Sequence, residues 1–170
     1  MNIFVLDEHP AKAATMLCDC HLRKMCVETA QILSGVLLRR GEKLLPGMPR
    51  PQNLSHPVIV AAEKDIHATK WVSDYNEFLN MEYSFRFGKC HSYADLAVSY
   101  SDTFAFGNEP SKRKWAHLLA TCCGNLDVSG MDIVSAYRKY YTQIKKPQLV
   151  EKGLWHFTER EDWTKSDKRS

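Results

Sequence analysis

Four side chains of different chemistry, His21, Lys24, Glu28 and Gln31, recur at intervals of three, four and three. Wound as a helix at about 100° per residue they share one side, while Leu22, Met25, Cys26, Thr29, Leu33 and Val36 fall on another. An imidazole can pass a proton near neutral pH, an ammonium can meet a phosphate, and a carboxylate can take a proton or stabilise a developing cation. The same stripe also fits a solvated face, on which the Lys24/Glu28 pair, in the weaker base-before-acid order, contributes roughly a few tenths of a kcal/mol.

Further candidates lie downstream. Asn76, Glu82, Arg86 and Lys89 run beside an aromatic stripe, with Glu82 and Arg86 in the favourable acid-before-base spacing. Lys89, His91 and Ser92 follow Gly88 and suit either a phosphate contact or ordinary capping of a helix end. Lys112-Arg113-Lys114-Trp115 can grip a nucleic-acid backbone and stack on a base, or open a helix whose Trp115, Leu118 and Leu119 pack inward. Tyr137, Tyr140 and Tyr141 stand among Arg138, Lys139, Lys145 and Lys146; Tyr137 and Tyr141 share a face predicted to be partly buried, leaving the cations for an anion. Of the six cysteines, Cys18 and Cys20 cluster with His21. On one helical turn these side chains diverge and no Cys-x-x-Cys pair completes a tetrahedron, so thiols are expected, with no metal site and no cofactor.

The elements that must position these groups are mostly helices. The 170 residues are 44% hydrophobic and 25% charged with a formal charge of +3, which suits one soluble domain over residues 1–170. No apolar run approaches the roughly 20 residues of a membrane helix, so the expectation is a cytoplasmic protein without a membrane partner. Residues 1–6 form an apolar strand or a buried extended arm. Pro10 opens a helix; Asp19 can cap a second one if the chain bends before His21, or lie within one continuous helix that runs towards Arg39, Arg40 and a terminating Gly41. A proline-rich loop spans 42–57, where Arg39, Arg40, Lys43 and Arg50 gather. Residues 58–67 read as helix, and 69–87 as a helix with Trp71, Val72, Tyr75, Phe78, Leu79, Tyr83 and Phe87 inward, stopped by Gly88. Helix over 91–100, loop over 101–111, helix from Asp132 to just before Pro147, and a tail over 152–170 pinned by Trp155, Phe157 and Trp163 complete the chain. The fold class is all-α, a compact single-domain helical fold with a short extended N-terminal arm.

Asp19-Cys20-His21-Leu22, with Glu28 seven residues after the histidine, resembles the first helix of the phage pyrimidine-dimer DNA glycosylase (endonuclease V) family. Asn76-Glu77-Phe78-Leu79 and Tyr137-Arg138-Lys139-Tyr140-Tyr141 are similar to that family's central helix and tyrosine-rich C-terminal segment. Leu6-Asp7, Pro10, Lys24-Met25, Trp71, Glu82-Tyr83, Arg86, Gly88-Lys89 and His91 extend the likeness to small viral proteins described as dimer-glycosylase-like, over about two-thirds of the chain in patches.

The resemblance implies a protein that flips a base, cleaves its N-glycosidic bond and nicks the strand at the abasic site. Glu28 would stabilise the oxocarbenium-like sugar, with His21 and the cations holding DNA. The family's nucleophile is the N-terminal amine, here Met1. Asp19, Lys24, Gln31, Asn76, Glu82, Arg86, Lys89, His91, Tyr137, Arg138, Tyr140 and Tyr141 would contact substrate. Gln31 and Ile32 stand where the family carries arginines, and the chain is longer. Two other classes therefore stay open: an enzyme of nucleotides or modified pyrimidines, with His21, Lys24, Arg86, Lys89 and His91 around phosphate and base, and a non-catalytic viral DNA-binding protein using Lys112, Arg113 and Lys114.

Overall fold

The computed structural model describes residues 2–104, 106 and 115–168, in which every regular element is helical. The helices are α1 (Pro10–Thr15), α2 (Asp19–Arg39), α3 (Pro57–Lys64), α4 (Ile66–Phe87), α5 (Ala94–Phe104), α6 (Ile133–Tyr140) and α7 (Lys146–Glu151). Short 3₁₀ turns cover Trp115–Leu118 and Trp163–Lys168. None of these helices is long and apolar enough to cross a membrane.

The two long helices, α2 and α4, are the centre of the molecule. They run antiparallel: Arg40 meets Thr69, Thr29 meets Asn76, and Asp19 meets Arg86. The aromatic stripe of α4 faces inward at Trp71, Val72, Tyr75, Leu79 and Tyr83, as its three-and-four spacing predicts. Asp65 caps the start of α4, and Gly88, with φ +63°, ends it in the left-handed conformation. Helix α3 packs on α2 at Gly35. A Cβ there would lie 2.6 Å from Ile59 Cδ1. Gly35→Ala is therefore expected to lower stability by about 1–3 kcal/mol, read as a shifted urea midpoint with unchanged slope.

Residues 2–6 form a buried extended arm, which decides between the two readings of that apolar run. Ile3, Phe4, Val5 and Leu6 are all essentially inaccessible to solvent.

One boundary decides between two open readings, and two others differ from expectation. The chain breaks between α1 and α2, where Cys18 is extended (φ −69°, ψ 159°) and Asp19 starts a new helix. Helix α5 runs to Phe104, since Ser101, Asp102 and Thr103 simply form its exposed side. Pro147 does not stop the last helix. A π turn over Tyr141–Lys145 precedes it and makes Pro147 an early residue of α7, where its missing N–H and its ring are tolerated.

Candidate active site

An extended arm has no ladder to satisfy its backbone, so its polar groups need other partners. Tyr75 Oη donates to the Phe4 carbonyl at 3.0 Å, Arg138 Nε to the Leu6 carbonyl at 2.7 Å, and Asn2 Nδ2 to the Cys122 carbonyl at 3.2 Å. Arg138 also pairs with Asp7 at 3.1 Å. These bonds, with the buried apolar side chains, hold the arm along the polar stripe of α2. The backbone nitrogen of Asn2 thereby donates to Glu28 Oε2 at 3.1 Å.

Glu28 is only 7% exposed, and Lys24 Nζ approaches its other oxygen at 3.5 Å from the surface. At His21 and Glu28 the stripe is therefore not a solvated face, while Lys24 stays exposed at its rim. His21 is buried beside it, with Phe4 between the arm and the tyrosines: the Phe4 ring lies 4.6 Å from His21 and 5.1 Å from Tyr141. Tyr140 and Tyr137 are slightly farther, at 6.4 and 6.5 Å. Gln31 is half-buried one turn beyond Glu28.

The tyrosines build the wall of this site. Tyr137 Oη donates to the Ala120 carbonyl and accepts from the Cys122 N–H, fixing the loop that receives Asn2. Tyr141 Oη accepts from the Cys18 N–H at 2.9 Å and lies 3.0 Å from His21 Nδ1. Burial raises both phenols well above their usual range, so they stay neutral. Tyr137 and Tyr141 are fully enclosed, and their hydroxyls serve the protein rather than a substrate. Arg138, expected to face an anion, is tied to the arm and Asp7.

Asp19, Glu82 and Arg86 depart furthest from the substrate-binding role expected of them. The Arg86 side chain is 0% exposed; it donates to Glu82, Asp19 and the carbonyls of Leu17 and Thr15, all at 2.7–3.0 Å. The tail closes over the same carboxylates. Thr158 donates its N–H and hydroxyl to Asp19, and Arg160 forms a two-pronged pair with Glu82. Burial raises the Glu82 carboxyl pKa, but hydrogen bonds from Arg160 and Arg86 outweigh it and the net shift is downward. This cluster locks the α1–α2 corner to α4.

Asn76 is likewise internal, donating to Thr29 Oγ1 and the Cys26 carbonyl. Lys89 and His91 lie beyond Gly88, roughly 18 Å along the α4 axis from Asn76, the residue level with Glu28. His91 Nδ1 accepts from the Tyr93 N–H and its ring meets Tyr83 edge-on; burial holds it below the usual imidazole range. Arg86, enclosed with its donors on carboxylates and carbonyls of the protein, cannot join a phosphate pocket with His21, Lys24, Lys89 and His91.

Met1 and Lys112, Arg113 and Lys114 lie outside the described residues. Trp115 is buried against His67 at 4.2 Å and offers no open stacking face. An open cavity of about 500 Å³ is lined by Lys12, Met16, Arg138, Lys139, Thr142, Gln143 and Trp163, apart from Glu28.

Sequence reasoning missed Asn2, Cys122, Thr158 and Arg160, none of which carries a local signal. It also misjudged the cysteines. Because Cys18 precedes the helix, its Sγ turns back to 3.5 Å from Cys20 Sγ, and these two and His21 converge where divergence was expected.

The sequence matches no protein-family model and no curated protein, and no solved structure matches it.

Proposed function

We propose that the protein is a DNA N-glycosylase for damaged or modified pyrimidines, with strand cleavage at the resulting abasic site. The observation that supports this reading is the Asn2 backbone nitrogen 3.1 Å from the buried Glu28 carboxylate. Removal of Met1 converts that nitrogen into an α-amine at the same carboxylate; retention of Met1 moves the amine one residue outward.

In the proposed reaction the amine attacks C1′ of a flipped nucleotide as the C1′–N bond breaks, and the base leaves with a proton. Glu28 stabilises the positive charge on the sugar as this happens. The nitrogen lone pair of the adduct then expels the ring oxygen: the C1′–O4′ bond breaks, O4′ takes a proton, and an open-chain iminium that keeps its N–H forms. Abstraction of a C2′ proton by Glu28 then breaks the C3′–O bond, and water releases the enzyme. Lys24, at the exposed rim, is placed to meet a flanking phosphate.

Borohydride reduction of the protein mixed with abasic duplex DNA tests the reading. The expected product is a covalent protein–DNA adduct whose peptide map places the link on the α-nitrogen of Asn2 or Met1. No adduct, or an adduct confined to a lysine Nζ, would count against it.

A further inference from the structure

Cys18, Cys20 and His21 form the one group among the described residues whose metal-binding atoms gather closely enough to share an ion, all within 4.8 Å of one another. We propose that these three residues bind a zinc ion, a role independent of the glycosylase reading.

The dimensions support it. A tetrahedral zinc with Zn–S bonds of about 2.3 Å holds two sulfurs about 3.8 Å apart, and a sulfur and a nitrogen or oxygen about 3.5 Å apart. Cys18 Sγ and Cys20 Sγ stand 3.5 Å apart. Tyr141 Oη stands beside the group, 3.3 Å from Cys18 Sγ and 3.0 Å from His21 Nδ1, as a neutral hydrogen-bonding neighbour, and the fourth corner falls to a water. The Cys18–Cys20 separation is within a few tenths of an ångström of the tetrahedral value, and the His21 ligand atom lies within 4.8 Å of both sulfurs.

Cys18 and Cys20 sit at the first turn of the 21-residue α2, whose positive end stabilises thiolates. Two soft sulfurs with an imidazole select zinc over magnesium or calcium. Cys20 is half-buried, which leaves an entry path, whereas Cys18 and His21 are enclosed. The ion would fix the α1–α2 corner, joining Cys18, just before α2, to Cys20 and His21 in its first turn.

The test is zinc titration of the reduced, metal-free full chain against a chromophoric chelator. One equivalent is expected to bind. Cys20→Ser should weaken binding about a hundredfold or more, and Cys90→Ser, at an exposed site, should leave it unchanged. Cobalt substitution should give thiolate-to-metal charge-transfer bands that vanish in Cys20→Ser. Circular dichroism of metal-free Cys20→Ser separates a lost ligand from a lost fold, and zinc should raise the Tm of the wild type only. Failure of the reduced protein to bind zinc overturns the proposal. So does binding that is unaltered in Cys20→Ser, or a Cys18–Cys20 disulfide that persists in reductant and keeps zinc out.

Discussion

Glu28→Gln is expected to lower base release and strand nicking by about 10²- to 10⁴-fold, the range removed with a single positioned acid–base group. The measurement is single-turnover cleavage of ultraviolet-irradiated duplex with the wild type as reference. Glutamine keeps the size of the side chain and can still accept the Asn2 N–H, so the arm should stay docked and the unfolding midpoint should change little. What it removes is the charge that balances a cationic sugar and the base that takes the C2′ proton. Undiminished nicking by a folded Glu28→Gln protein would sink the proposed mechanism. Lys24→Ala provides a contrast: its exposed ammonium should mainly affect DNA affinity and its salt dependence, with a slope change of about one unit.

Arg86→Ala is expected to cost about 3–5 kcal/mol of stability, because it leaves two largely buried carboxylates without their shared cation. Arg160→Ala, whose guanidinium is 36% exposed, should cost about 1 kcal/mol or less. Both are read as urea midpoints. The sign of the pH dependence follows from Glu82, whose carboxyl pKa is lowered on folding. Its stabilising contribution is present above the unfolded value of 4.5 and is lost as pH falls through the lower folded value. The gap between wild type and Arg86→Ala should therefore narrow in acid. A gap that widens below pH 4.5, or an Arg86→Ala midpoint equal to wild type, would refute the assignment.

Much of the helical framework was legible because its signals are local. Pro10, Gly41 and Gly88 mark ends through backbone geometry that any neighbourhood would share, and the α4 aromatics reveal their face through a period of three and four. The meaning of the α2 stripe was not local. His21 and Glu28 carry the same spacing whether they face water or a docked arm, and only the landing of residues 2–6 decides it. Arg86 shows the same limit. Its four-residue spacing from Glu82 was visible, but Asp19 and the carbonyls of Thr15 and Leu17 reach it only through the α1–α2 corner. For Cys18, a single extended residue before α2 converts divergent side chains into convergent ones.

The clasp of Thr158 and Arg160 on Asp19 and Glu82 also fixes an order of assembly on the ribosome. The partners in the Asp19 contact are 139 residues apart, so most of the chain is synthesised before that acidic group receives its last donors. A nascent chain ending before Thr158 carries α2 and α4 with Arg86 as their common cation and no cover over the cluster. Helix pairing can begin early, but the α1–α2 corner is secured only when the tail emerges from the exit tunnel. Nonsense mutations or proteolysis near the C-terminus should thus loosen the opposite end of the sequence first, and hydrogen exchange at the start of α2 would report it.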